Sequence, residues 1–231
     1  MDKKPLGMNQ PILITGCARS GTSMTAGIFD MAGAFGGITA GPNHYNRKGM
    51  FENNGIRGGI VKPFFRHVEA DPMGQHPLPD IDLVKLVSKR AVINWRLSVQ
   101  KVLVTQGYRD NQTWYYKGAK MVLIWPMWQR AYPEAYWIVV RRDSDAIVNS
   151  CMKTSFMRAH KHELGWMKWV DHHKEQFINM ESAGMNIRYV WPQKMINRDY
   201  TEIKDVLDWV GLSIETPKLE DFIEPCLWSS R

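Results

Sequence analysis

The chain has 231 residues, of which 44% are hydrophobic and 23% charged, with a formal net charge of +7. That length and composition fit one sizeable domain with a real core and exclude a disordered or low-complexity chain. The positive balance points to an anionic ligand or surface; no RNA- or DNA-binding signature accompanies it, so nucleic acid is set aside as a partner.

The first residues, MDKKPLGMNQ, are charged and lack the apolar run of a signal peptide. No run of about 18 apolar residues occurs anywhere, so no membrane span is expected. The three scattered cysteines, Cys17, Cys151 and Cys226, form neither a disulfide framework nor a zinc pattern. A soluble, cytoplasmic protein is the expectation.

Pro11–Gly16 (PILITG) is an apolar, β-rich run that predicts a buried strand, and GTSMTAGIFDMAGA beyond it continues as a helix. The stretch 40–79 is rich in Gly, Pro, Asn and His and reads as a mobile loop over a site. DIDLVKLVSKRAVINWRLSVQKVLV carries apolar residues at helical spacing, and WYYKG after it is a weaker strand. AYWIVV (Ala135–Val140) is the second strong strand, and RRDSDAIVNSCMKT then turns into a helix capped by Asp143 or Ser144. IRYVW is a weak strand and YTEIKDVLDWVGL a helix. Strands alternating with helices predict a single α/β domain over residues 1–231, a P-loop NTPase-like parallel sheet flanked by helices. Ligands of such a sheet bind where strands end.

GCARSGTS, at the first strand-to-helix junction, has Gly16, Gly21 and Ser23 where a Walker A loop has its glycines and hydroxyl. Thr22 stands in place of the lysine, and Arg19 lies three residues earlier. Backbone N–H groups and the helix dipole of such a loop suit a phosphate. The lysine that reaches a γ-phosphate is absent, and the second strand ends in Arg141 and Arg142, which repel a metal. A nucleotide without γ-phosphate or metal fits better. A ligand-free turn and a diverged kinase loop are the alternatives at this point. Cys17, near the helix start, reads either as a thiol of lowered pKa or as a small side chain filling a tight loop.

These residues resemble the sulfotransferase family, whose donor is 3′-phosphoadenosine 5′-phosphosulfate (PAPS). ARSGTS is similar to the loop that holds the 5′-phosphosulfate, and KGMFENNGI to a G-Y-F-E-[DN] stretch of bacterial members. YYKGAKMVLIWPMWQRAYPEAYWIVVRRDSDAIVNS resembles the family's lysine segment, helix, strand and arginine-to-serine module, and FIEPCLW its tail. The landmarks run from about residue 11 to residue 228.

The resemblance implies that Cys17, Ala18, Arg19, Ser20, Gly21, Thr22 and Ser23 cradle the 5′ end of PAPS. It further implies that Arg142 and Ser150, eight residues apart, hold the 3′-phosphate. Lys117 matches the lysine that touches the sulfuryl group, with Lys120 as its rival, and Arg19 is the first candidate to stabilise the leaving oxygen. The cytosolic branch has a histidine two residues after that lysine; here the position is Ala119. Glu52 is therefore the candidate base and His44 the alternative, while a capping carboxylate is the plain reading of Glu52. Trp191 stands beside Pro192, where the branch has its adenine-side tyrosine, and is the candidate to stack on the base. No metal is implied: His160, His162, His172 and His173 lack the three- or four-residue spacing and the third ligand of a metal site. The expected products are a sulfated hydroxyl or amine and adenosine 3′,5′-bisphosphate (PAP). Two rivals stay open: a P-loop kinase using ATP and magnesium, and a non-enzymatic anion-binding protein.

Overall fold

The computed structural model describes residues 8–228. Its centre is a four-stranded parallel sheet of β1 (Ile12–Gly16), β2 (Tyr115–Lys117), β3 (Tyr136–Val140) and β4 (Ile187–Val190), in the order β2-β1-β3-β4. Ile14 lies opposite Lys117, Gly16 opposite Val140, and Val140 opposite Val190. All four strands therefore finish along one edge of the sheet. The order reverses between β1 and β3, which makes that gap the crevice where ligands of open parallel sheets bind.

Both faces of the sheet are covered, which is why its strands read as continuous apolar runs rather than alternating ones. Leu13, Tyr116, Trp137 and Val139 belong to the core on one face. Ile12, Ile14, Tyr115, Ile138 and Val140 belong to the core on the other.

The helices are α1 (Thr22–Met31), α2 (Asn54–Ile56), α3 (Lys62–His67), α4 (Ile81–Lys85), α5 (Lys89–Thr105), α6 (Trp125–Ala131), α7 (Ser144–Met152), α8 (Glu163–Ser182), α9 (Pro192–Ile196), α10 (Thr201–Trp209) and α11 (Thr216–Phe222). The helical run expected after Asp80 is two helices, because Ser88 starts afresh as an N-cap, its hydroxyl accepting from Ala91 N–H at 3.2 Å. Asp143 rather than Ser144 caps α7, accepting from Ala146 N–H at 3.0 Å.

The stretch 40–79 is not loop throughout. Asn53 caps a helical segment by accepting from Ile56 N–H at 3.0 Å, and α2, a π-helical turn Arg57–Val61 and α3 follow without a break. Gly55, Gly58 and Gly59 disguise that segment in the sequence, since glycine is a poor helix former. No helix among the described residues is long and apolar enough to cross a membrane.

Candidate functional site

The crevice at the strand ends holds a cleft of about 290 Å³ lined by residues of both strand-to-helix corners. At the first corner, β1 ends on Gly16 with φ 154°, where a Cβ would sit 2.5 Å from the Val140 carbonyl oxygen. Gly21, φ 100°, caps α1, and a Cβ there would lie 2.9 Å from both Pro192 and Trp228. Arg19 takes a left-handed conformation, φ 72°, which a non-glycine residue adopts at a cost. No side chain caps the start of α1, so its first N–H groups keep their donor capacity. Ser20 Oγ is buried without a hydrogen-bond partner among the described residues. A buried hydroxyl without a partner calls for an explanation, and successive N–H groups of such a turn form a concavity suited to an anion. Ala18, Arg19, Gly21, Thr22 and Ser23 line the cleft.

Arg142, at the second corner, lines the same cleft as Thr22. Its Nη1 donates to the Arg19 carbonyl at 2.8 Å, while Arg19 Nε donates to Ser150 Oγ at 3.0 Å. The two corners are thus one network, with Ser150 buried behind Arg19. Burial lowers the pKa of both guanidinium groups, and for Arg142 the charge of Arg19 adds to it. Two desolvated cations held this close gain from an anion between them.

The aromatic partner of Arg142 is Trp228, whose ring centroid lies 4.3 Å from the guanidinium carbon and whose indole N–H donates to Gln193 Oε1 at 2.9 Å. Trp228 lines the cleft and Trp191 does not: Trp191 is 39% exposed and, like Phe177 and Tyr189, lies against the Arg141 guanidinium. The aromatic face that the cleft presents is therefore that of Trp228 and not of Trp191. The only mark of Trp228 in the sequence was the FIEPCLW tail, because its contacts with Arg142 and Gln193 span long stretches of chain and leave no local signal.

Cys17 faces the core and not the cleft. Burial, then Cys151, raises its thiol pKa, the opposite of the lowering that a reactive thiol needs. Its carbonyl shapes the turn, accepting from Ser20 N–H at 3.2 Å.

Opposite the loop stands Lys117, the last residue of β2, 4% exposed. Its ammonium forms no ion pair or hydrogen bond among the described residues, and burial lowers its pKa, with Glu52 working against that. Thr15 fixes the turn beyond it, its hydroxyl donating to Gly118 O at 3.1 Å and accepting from Val122 N–H at 3.1 Å. Glu52 is 6% exposed and lines the cleft. It is not a cap, since Asn53 does that work, and its charge bears on Lys117, Lys120 and Tyr116. Lys120 donates to Pro72 O at 2.9 Å.

His44 is exposed at the mouth, edge-on to Tyr45 with centroids 5.1 Å apart. Tyr45 bonds the hydroxyl of Ser155, and Lys48 pairs with Glu224, so the 43–50 segment straps across the cleft. Of the four clustered histidines, His173 alone lines the cleft; its Nδ1–H donates to Trp169 O at 2.7 Å and burial lowers its pKa to about 3. Among the described residues no three potential ligands gather as a metal site.

A four-stranded parallel sheet flanked by helices, with a glycine turn at its switch point, defines an α/β protein. No protein-family model and no curated protein sequence matches the chain. Its fold is that of the sulfotransferases. The chain is similar to the "Sulfotransferase Domain from the Curacin Biosynthetic Pathway", at 12% identity and TM-score 0.57, over 94% of this chain and 78% of that one. The sulfotransferase domain of the Synechococcus PCC 7002 olefin synthase gives 11% and 0.59, over 99% and 82%. Sulfotransferase STF9 from Mycobacterium avium gives 11% and 0.58, over 94% and 68%.

Proposed function

We propose that the protein is a sulfotransferase that takes the sulfuryl group of PAPS to a hydroxyl or amine and leaves PAP. The observation that carries the reading is the convergence of both anion corners on one cleft, with Arg19 bonded to both Arg142 and Ser150. PAPS has an anionic group at each end, and ATP has no 3′-phosphate for Arg142 and Ser150 to meet. The orphaned Ser20 hydroxyl, the glycine turn and the free start of α1 suit the 5′-phosphate. Trp228 offers the flat apolar face that an adenine needs.

In the step itself the acceptor oxygen or nitrogen attacks sulfur. The bond from sulfur to the 5′-phosphate oxygen breaks, and its electron pair leaves on that oxygen. Arg19 and Lys117 stabilise the charge that builds there, as fixed cations in a desolvated site do. Glu52 takes the acceptor proton, being a buried carboxylate that lines the cleft. His44, exposed at the mouth, is the less favoured base. The three free cysteines fit a reducing, cytoplasmic setting.

The test is a thermal-shift comparison of PAP, AMP and ATP with magnesium. A ligand that binds only the native state raises Tm by mass action. PAP should stabilise without metal and more than AMP does. Stabilisation by ATP with magnesium and none by PAP hands the protein to the kinase reading. Polymer binding that survives changes at Arg19 and Thr22 hands it to the anion-binding one.

A further inference from the structure

The cleft holds more positive charge than a nucleotide donor uses. Seven Lys and Arg side chains line it against two carboxylates, Glu52 and Glu224. Lys48 already occupies Glu224, and Arg142, Arg19 and Lys117 serve the donor in the reading above. Arg47, exposed at the mouth, and Arg57 and Lys120, half-buried inside it, are left over; Arg57 acts electrostatically on Lys117, and Lys120 feels the charge of Glu52. Neither Arg57 nor Lys120 has an ion-pair partner among the described residues. Lys120 Nζ donates to a neutral carbonyl, and Arg57 Nη2 reaches the Asn54 amide oxygen at 3.3 Å.

Burial lowers the Lys120 pKa to about 8, and Lys62 and Arg57 push in the same direction against Glu52. Half-buried cations short of counter-ions cost the apo protein free energy that a ligand anion returns. Arg57 also opens the π-helical turn Arg57–Val61, and such turns concentrate at functional sites.

We infer that Arg57 and Lys120 form an oxyanion subsite for the acceptor, which is therefore a hydroxyl or amine compound bearing its own carboxylate or phosphate. Lys120 follows Lys117 by three residues, across the 3-10 turn Ala119–Ile124, and both feel Glu52. The anion of the acceptor thus sits near the group that reacts. Naming the ligand an acceptor rests on the sulfuryl-transfer reading; the subsite itself does not.

The experiment follows Tm of PAP-saturated protein on adding glycerol, D-glycerate or glycerol 3-phosphate. The two anionic probes should add a further rise and glycerol none; a response to only one of them says whether the subsite takes carboxylate or phosphate. The double variant Arg57→Gln with Lys120→Gln should lose the increment and keep the PAP shift, which also reports that it folds. The charge-keeping pair Arg57→Lys with Lys120→Arg should retain part of the increment. Equal responses to glycerol and the anions, no increment from any probe, or an increment that survives the double glutamine variant each overturn the inference. If PAP gives no shift yet the anion response appears and vanishes in the double variant, the donor reading fails and the subsite stands.

Discussion

The two walls of the cleft are built by different means. The wall proposed to face the nucleotide is mostly backbone: Gly16 packed against the Val140 carbonyl, Gly21 against Pro192 and Trp228, and the Arg19 carbonyl holding Arg142. Its parts are two short stretches, each at a strand end. The opposite wall is assembled from segments far apart in the chain and held by side chains. Asn53 Nδ2 donates to Gly36 O at 2.8 Å and to Gln106 Oε1 at 2.7 Å, and Trp169 Nε1 donates to Gly74 O at 2.9 Å. A backbone cradle presents the same N–H groups whatever its side chains, so it suits a ligand that does not change. A wall of side chains can exchange its ligand one substitution at a time while the fold persists.

The harshest way to break this contrast is Gly16→Val. The new side chain has no room beside the Val140 carbonyl, 2.5 Å from where its Cβ must go. Overpacking of that kind costs about 1–3 kcal/mol. PAP binding, read as a thermal shift, should disappear entirely, and the unliganded Tm should fall. An intact PAP shift in this variant removes the glycine turn from the site.

Lys117→Met comes next, on the other wall. The methionine keeps the volume and loses the ammonium, and losing one preorganised donor costs about a hundred- to a thousandfold in rate. Transfer from PAPS should drop by that factor while PAP affinity, dominated by the backbone cradle and Arg142, changes little. If the two fall together, Lys117 is part of donor binding and not of the step.

The contrast also decides what the sequence could reveal. Sheet, glycine turn and second corner were readable because each is local: an apolar strand, a tight turn and a helix cap lie within about ten residues. Trp228 was not, and neither was the pairing of Arg57 and Lys120 with Glu52, because these meet only when the chain has folded. The π-turn went unseen for a different reason: glycines at 55, 58 and 59 argue for loop, and the Asn53 cap together with burial of Ile56 and Val61 overrides them. Arg141 and Arg142 are adjacent in sequence yet part company, Arg141 among Phe177, Tyr189 and Trp191, Arg142 in the cleft. Both follow the end of β3 at Val140, and which of two neighbours there enters the cleft is a tertiary fact.

Arg142→Ala sharpens the nucleotide side. A charge-assisted contact is worth about 1.5–3 kcal/mol, roughly ten- to a hundred-and-fiftyfold in affinity. PAP should weaken by that amount in calorimetry and AMP, which lacks the 3′-phosphate, hardly at all. An equal loss for both ligands assigns Arg142 to holding the Arg19 carbonyl in place and takes the 3′-phosphate away from it. Trp228→Ala should act in the reverse sense, weakening AMP and PAP alike by a few-fold, on the order of 0.5–1.5 kcal/mol for an aromatic stack.

The smallest effect separates the walls by pH. His173 is buried on the side-chain wall with its pKa lowered to about 3, first by desolvation. An unfolded histidine takes up a proton near pH 6.5. Between those values the unfolded chain binds one more proton than the folded one, so stability falls as pH drops from about 6.5 toward 3 and is insensitive to this group above that window. His173→Leu should flatten the decline of Tm across the acid limb and leave the PAP shift at neutral pH as it was. His160, whose pKa burial and His76 also lower, remains in both proteins and supplies the residual slope. Parallel acid limbs for the two proteins mean that His173 is already protonated in the folded state. The wall around it is then wetter than its burial implies.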